Sequence, residues 1–163
     1  MTTPPKDLVP DFDPERDLYL SLHLDVPRSL VWRCWTEPAL LVQWFTPSPW
    51  STASAELDVR PGGSQFIVMR SPEGQEVPNR GVYLEVEPER RLVTTDAFSR
   101  AWVPAEKPFM TAILQFEDED GGTRYHAVAR HGTSEQRQSH AEMGFTPGWT
   151  AAAGQLVTLA KSL

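Results

Sequence analysis

The C-terminal two thirds of the sequence contain many strand patterns and only one long helical pattern, and this imbalance most constrains the fold. From Ala53 to His131, apolar and polar residues alternate between short turns, which predicts successive antiparallel strands. Apolar residues at helical spacing then run from Trp149 to Leu163. One helix cannot cover both faces of a sheet of about six or seven strands. A strongly twisted sheet is therefore expected to curl, with the helix closing its concave face.

One strand and two short helices are predicted before these strands. Leu18–Asp25 alternates strictly, with four leucines on one face, and predicts a half-buried strand. Pro27 suits the first turn of a helix because its missing N–H costs nothing there, so a helix is predicted over 27–36. A second short helix is predicted over 38–45, before the prolines that follow Thr46.

The sequence also predicts the connection to the last helix. A loop is expected over 99–108, and a short helix over 134–143. Thr146 is a good N-cap and Pro147 a good first residue for the terminal helix. Gly154 lies inside that helix, where glycine costs up to ~1 kcal/mol relative to alanine, so it is expected to permit a close approach.

The predicted fold class is α+β, with a curved antiparallel sheet of about six to seven strands wrapped on the C-terminal helix. Two short helices are inserted after its first strand. Residues 17–163 are predicted to form a single domain, and a chain of this length buries roughly 70% of its unfolded surface. Residues 1–16 are Pro-rich and charged, and are expected to form an extended arm without a core of its own.

Composition excludes several partners and sites. The formal net charge of −7 argues against nucleic acid and anionic membranes, because both require clustered cations. The single cysteine, Cys34, excludes an internal disulfide framework and a Cys-cluster metal site, and is expected to be a small buried hydrophobe. Apolar runs are far shorter than the ~20 residues that span a bilayer, so no membrane insertion is expected. The N-terminus lacks a signal-peptide pattern, which makes a cytoplasmic location the default.

Several strings resemble a known family. Val31–Trp44, VWRCWTEPALLVQW, resembles the first helix pair of the activator-of-Hsp90-ATPase-homologue-like domains of the START/Bet v 1-like helix-grip superfamily, also called SRPBCC. Leu57–Gly63 and Gly81–Pro88 are similar to further parts of these domains. His140–Trp149, which contains a Met-Gly-Phe-x-x-Gly-Trp string, carries the most specific similarity. The resemblance covers essentially residues 17–163.

The resemblance implies a helix-grip fold and a range of functions. Members of the superfamily bind lipids, sterols, polyketides, plant hormones and other apolar molecules, and some are enzymes such as polyketide cyclases. The eukaryotic namesake stimulates the Hsp90 ATPase, but it carries an additional Hsp90-binding domain. Only residues 1–16 precede the domain in this sequence, so Hsp90 activation is not expected.

A helix laid across a curved sheet tends to leave an apolar cavity, and such cavities are the default ligand sites. A cavity of several hundred Å³, about the usual ligand-pocket size, is therefore expected. Trp32, Trp35, Trp44 and Trp149 are predicted to surround it, and Trp50 and Trp102 to lie at its entrance. Core packing is the more common role of any single aromatic residue. The predicted ligand-binding residues are Trp35, Trp44, Phe66, Val68, Tyr83, Phe98, Phe116, His126, Trp149, Ala153 and Leu156.

Three polar residues are candidates for chemistry. His126 would be a weak general base if its phase of the last strand faces the cavity. Arg80 and Glu85 lie on one strand and would orient a ligand or hold adjacent strands in register; an exposed cross-strand pair is the alternative. The four histidines show no metal-ligand spacing, although His131 and His140 are close enough to approach each other. No metal and no cofactor are predicted.

Three functional hypotheses follow. The leading one is binding of a small hydrophobic ligand, such as a lipid, polyketide or aromatic metabolite, with a role in stress or resistance. The alternatives are an enzyme of the cyclase or hydrolase kind, which requires converging polar groups, and a co-chaperone-like interaction module, which requires an exposed apolar patch. The predicted partner is a small apolar molecule, and a homodimer is left open.

Overall fold

A computed structural model describes residues 3–163 and contains one seven-stranded antiparallel sheet with strand order β1-β9-β8-β5-β4-β3-β2. Its strands are β1 (Asp17–Leu24), β2 (Ser51–Leu57), β3 (Ser64–Arg70), β4 (Glu76–Glu87), β5 (Arg91–Thr95), β8 (Thr111–Glu119) and β9 (Gly122–Arg130). Two short strands, β6 (Phe98–Arg100) and β7 (Val103–Pro104), form a separate hairpin. The helices are α1 (Arg28–Thr36), α2 (Pro38–Leu41), α3 (Ser134–Glu142) and α4 (Phe145–Ala160).

Strand alternation decides which side chains face α4. Leu18 and Leu20 of β1 pair with Ala129 and Ala127 of β9, and all four belong to the main core. That core also contains α4 residues, among them Leu156, so these strand residues define the inner, concave face of the sheet. The predicted α+β architecture, with its inserted helices and C-terminal helix, is confirmed.

Helix α4 begins earlier than its sequence signals indicate. Gly144, not Thr146, is the N-cap, and it adopts a left-handed conformation with φ of 95°. Glycine tolerates this conformation, so the chain passes from α3 into α4 across only two residues, Met143 and Gly144. The Gly148 amide donates to the Gly144 carbonyl at 2.8 Å, which closes the first turn. The prediction of a Thr146 cap was therefore wrong.

Three other local expectations differ from the structure. Gly154 is exposed, and a Cβ atom added there would meet nothing within 4 Å, so it permits no close approach. The segment expected as a loop over 99–108 contains most of the β6–β7 hairpin. The predicted second helix is shorter than expected, because α2 ends at Leu41 and turns follow.

The N-terminal arm packs on the convex face of the sheet. Leu8 is 0% exposed and forms a second, smaller core with Val9 and with residues of β1, β5, β8 and β9, among them Tyr19. The Arg91 guanidinium donates to the Leu8 carbonyl at 3.1 Å. This packing differs from the expected arm without a core of its own, because the Leu8–Val9 pair between the prolines covers apolar residues on that face.

The helices are short or contain both polar and apolar residues. Across residues 3–163, none of them is both long and apolar enough to cross a membrane.

Candidate functional site

The inner face brings together most of the aromatic residues that the sequence assigned to a ligand site. Trp35, Trp44, Tyr83 and Phe116 are all buried in the main core, together with Ala153 and Leu156 of α4. The Trp35 and Trp44 rings meet edge to face at 4.8 Å between centroids. The residues predicted to line a cavity therefore largely pack against one another.

The two buried tryptophans have their polar atoms satisfied inside the protein. The Trp35 indole N–H donates to the Tyr125 hydroxyl at 3.1 Å, and the Trp44 indole N–H donates to the Cys34 carbonyl at 2.9 Å. The first contact holds α1 against β9, and the second holds the segment after α2 against α1. These indoles therefore close one end of the core, and neither N–H remains free for a ligand.

The other four tryptophans are more accessible. Trp32 and Trp149 are half-buried, in contact with Phe116 and Phe145 respectively, rather than fully buried as expected. Trp50 and Trp102 lie in exposed loops, as expected, and Trp102 is 80% exposed.

Tyr83 is the unusual member of the core. Its side chain is 0% exposed, yet its hydroxyl makes no hydrogen bond with any residue between 3 and 163. Burial raises the pKa of Tyr83, and the Gln65 side chain, which approaches the hydroxyl without reaching hydrogen-bond geometry, partly offsets this rise. A buried hydroxyl without a partner is costly by about 1–3 kcal/mol, so this donor calls for an explanation.

The inner face becomes more accessible next to Tyr83. Leu57 at the end of β2 pairs with Gln65 of β3, and both are only half-buried. Val59 and Ala55 are also half-buried and pack against the main core. The edge of the sheet near β2 therefore offers an apolar approach to the interior.

Three predicted ligand residues lie on the opposite face. His126 sits between the core residues Tyr125 and Ala127, and Phe66 and Val68 flank the core residue Ile67. Because strand side chains alternate, these three point to the convex face, away from α4. Their assignment to an inner cavity was wrong. The apolar run in β3 and the burial of both faces of β9 leave no polar alternation to show which residues face inward.

The candidate catalytic residues do not converge. His126 Nδ1 lies 2.8 Å from the Tyr19 hydroxyl oxygen, and its Nε2 lies 3.1 Å from Glu117. The Glu85 carboxylate instead accepts from Arg91 at 3.2 Å. The Arg80 guanidinium lies over the Phe66 ring, 3.9 Å from its centroid. These three separate contacts do not form the constellation that the enzyme hypothesis requires.

Two clefts lie outside the space between the sheet and α4. One, of about 350 Å³, is bordered by the 60–62 turn, β4 and the β6–β7 hairpin. Its lining residues include Phe98 and Trp102, whose rings meet edge to face at 5.9 Å. The other, of about 410 Å³, lies between Pro14–Glu15 and α3 and is largely polar. Neither cleft is the cavity that was expected between the sheet and α4. In that space, buried side chains of the main core pack against one another.

His131 and His140 form a buried histidine pair. His131 Nε2 and His140 Nδ1 lie 2.9 Å apart, so the two residues do approach each other. Burial and, to a smaller degree, the neighbouring His131 lower the pKa of His140 to about 4. The rings of Phe109 and Phe145 enclose His140. This pair joins the end of β9 to α3 and the start of α4.

Together, the curved sheet, the inserted helix pair and the C-terminal helix on the concave face define a helix-grip protein. The family model "Activator of Hsp90 ATPase homolog 1-like protein" matches residues 25–161. The chain belongs to this family, in agreement with the resemblance found in the sequence and with membership of the SRPBCC superfamily.

Solved structures share the fold. A Nitrosomonas europaea protein is 46% identical, with 93% of this chain and 97% of that chain covered and a TM-score of 0.90. A Mycobacterium smegmatis protein shares the fold at 21% identity, 91% and 92% coverage and a TM-score of 0.76. An AHSA1-like protein from Aeromonas hydrophila does so at 19% identity, 90% and 92% coverage and a TM-score of 0.66. No curated protein matches the chain.

Proposed function

We propose that this protein binds a small, mainly apolar molecule between the inner face of the sheet and α4. The ligand carries a hydrogen-bond acceptor, such as a ketone or ester oxygen, which accepts a hydrogen bond from the Tyr83 hydroxyl. The observation that carries the proposal is that hydroxyl, which is fully buried and unpartnered within residues 3–163. Lipids and polyketides combine an apolar skeleton with carbonyl oxygens, so they belong to the proposed ligand class.

The surroundings of Tyr83 support this chemistry. The half-buried Leu57 and Val59 provide an apolar approach, and the apolar core on the other side excludes water. A single hydrogen bond in such an environment fixes the orientation of an otherwise apolar ligand. Because side chains fill the interior here, ligand entry requires the β2 edge and the helices to move apart.

The proposal is tested with two neutral fluorescent probes, the ketone dye Prodan and N-phenyl-1-naphthylamine, which has no carbonyl acceptor. The Tyr83→Phe variant is expected to bind Prodan about three- to tenfold more weakly, the equivalent of one net hydrogen bond. Binding of N-phenyl-1-naphthylamine is expected to be unchanged, because the apolar surface is the same. Fluorescence titration gives both dissociation constants.

Tyr125→Phe is the matched control, since the Tyr125 hydroxyl already accepts a hydrogen bond from Trp35. It is expected to leave the Prodan preference unchanged. If neither probe binds the wild-type protein, or if Tyr83→Phe binds Prodan as tightly as wild type does, the proposal is wrong.

The enzyme alternative receives no comparable support from His126, Arg80 and Glu85, which take part in three separate contacts. The interaction-module alternative has one relevant feature. Leu84, Trp102 and Val103 are exposed together near the β6–β7 hairpin. Leu84 and Trp102 also border the 350 Å³ cleft, whose lining favours a small molecule over a protein partner.

A further inference from the structure

The cleft at the β6–β7 hairpin has the size and lining of a ligand site. Its volume of about 350 Å³ falls within the usual range for small-molecule pockets, about 300–1,000 Å³. Phe98 and Trp102 form an aromatic wall on one side, and Val82 and Leu84 of β4 contribute apolar surface. This lining suits a flat ring system.

Trp102 occupies a position that hairpin geometry alone would not assign to tryptophan. It is in the tight turn between β6 and β7 with φ of 64°, in the left-handed region where glycine or asparagine is unstrained. Its indole is 80% exposed, so core packing does not compensate for this strain. A bulky ring held in an unfavourable conformation at the edge of a cleft points to a role in binding.

One cation borders the same cleft. The Nε atom of Arg60 donates to the Asp58 carboxylate at 2.9 Å. The terminal guanidinium nitrogens of Arg60 make no hydrogen bond with any other part of the described chain, 3–163. Two N–H groups on one edge of a guanidinium match the two oxygens of a carboxylate. The nearby Asp58 carboxylate contacts only Nε, so the edge formed by the two terminal nitrogens of Arg60 remains available.

We propose that the cleft bordered by Arg60, Phe98 and Trp102 binds a flat aromatic carboxylate. Its ring stacks against the Phe98–Trp102 pair, and its carboxylate receives hydrogen bonds from the terminal nitrogens of Arg60. Tyr83 also borders this cleft, but its side chain is fully buried. The occupant proposed here differs from the neutral ligand proposed for the interior by its negative charge.

The probes are naphthalene-2-carboxylate and its neutral analogue naphthalene-2-carboxamide, titrated by calorimetry. Arg60→Gln is expected to bind the carboxylate on the order of tenfold more weakly, because a charge-assisted hydrogen bond is lost, and the amide with unchanged affinity. Arg70→Gln is the matched control: Arg70 is likewise exposed and paired with one carboxylate, Glu76, outside the cleft.

Trp102→Gly separates binding from structure. Glycine relieves the left-handed strain, so the melting temperature is expected to stay the same or rise, while affinity for both probes falls at least tenfold. Trp50→Ala, a change at an exposed tryptophan in another loop, is expected to leave binding unchanged. A melting temperature that falls with Trp102→Gly would assign the indole a structural role and overturn the inference.

Binding of a second copy of the protein at this cleft would give a different result. If the wild-type protein binds neither probe but self-associates in sedimentation velocity, and Trp102→Gly abolishes that association, the exposed patch is an interface and the ligand site is refuted. Failure of the Tyr83 proposal leaves this one standing, because Tyr83→Phe is expected to bind naphthalene-2-carboxylate like wild type.

Discussion

At the scale of single residues, the two most deeply buried tyrosines illustrate opposite uses of a hydroxyl group. The Tyr125 hydroxyl accepts from Trp35 and thereby satisfies two polar groups at once. The Tyr83 hydroxyl has no partner within the described residues. A binding protein can tolerate such a group, because the ligand restores the missing hydrogen bond and the free protein bears the cost.

This contrast predicts opposite effects on stability. Tyr83→Phe is expected to leave the free energy of unfolding unchanged or to raise it, since it removes an unsatisfied buried donor. Tyr125→Phe is expected to lower it by about 1–3 kcal/mol, since it leaves the Trp35 indole N–H without an acceptor. Urea denaturation of both variants measures the difference, and equal destabilisation by the two would contradict the assignment of Tyr83 as the unpartnered group.

At the scale of elements, the sequence predicted which segments form strands but not which way each one faces. In β1 the alternation of leucines with polar residues identified the inner face correctly. In β9, every residue from Tyr125 to Ala129 is buried. The sequence therefore did not show which of these residues face inward, and His126 was assigned to the wrong face of the sheet. The arm causes this ambiguity, because it buries Val128 on the convex face.

The hairpin was missed for a related physical reason. Its turn places tryptophan where a sequence-based reading expects glycine or asparagine, so Ala101–Trp102 gave no turn signal. The unpartnered Tyr83 hydroxyl could not be found either, because the absence of a hydrogen bond depends on side-chain positions from several strands. The family and the order of elements were accessible from sequence, whereas the local irregularities that suggest function were not.

The packing of the N-terminal arm on the sheet is tested by truncating its buried leucine. Leu8→Ala is expected to destabilise the protein by about 2–5 kcal/mol, the usual cost of truncating a fully buried leucine. Leu163→Ala, at the opposite terminus and 49% exposed, is the matched control and is expected to stay within about 0.5 kcal/mol of wild type. Similar chemical-denaturation midpoints for the two variants would show that the arm does not contribute to the folded core.

At the scale of the whole molecule, the His131–His140 pair connects parts of the chain that are distant in sequence. His131 follows β9 and also lies 2.9 Å from the Arg16 carbonyl before β1, while His140 belongs to α3 and contacts Phe145 of α4. The sheet, the short helix and the C-terminal helix therefore meet at one polar contact in apolar surroundings. Protonation at this point is expected to affect the stability of the entire fold.

The sign of the pH effect follows from the lowered pKa of His140. Its pKa is about 4 in the folded protein, compared with 6.5 for an ordinary exposed histidine. Between these values the unfolded chain binds a proton that the folded protein does not, so stability rises with pH. The contribution is complete above pH 6.5 and is lost as the pH falls towards 4, in total roughly 3 kcal/mol.

His140→Gln removes this titration and is expected to flatten the pH dependence of unfolding between pH 4 and 6.5. His23→Gln is the control, because His23 is an exposed histidine paired with Glu119 at the surface. Its pH profile is expected to retain the steep segment. Urea titrations at half-unit pH intervals provide the measurement, and a wild-type profile that is flat over this range would mean that His140 is protonated in the folded protein as easily as in the unfolded chain.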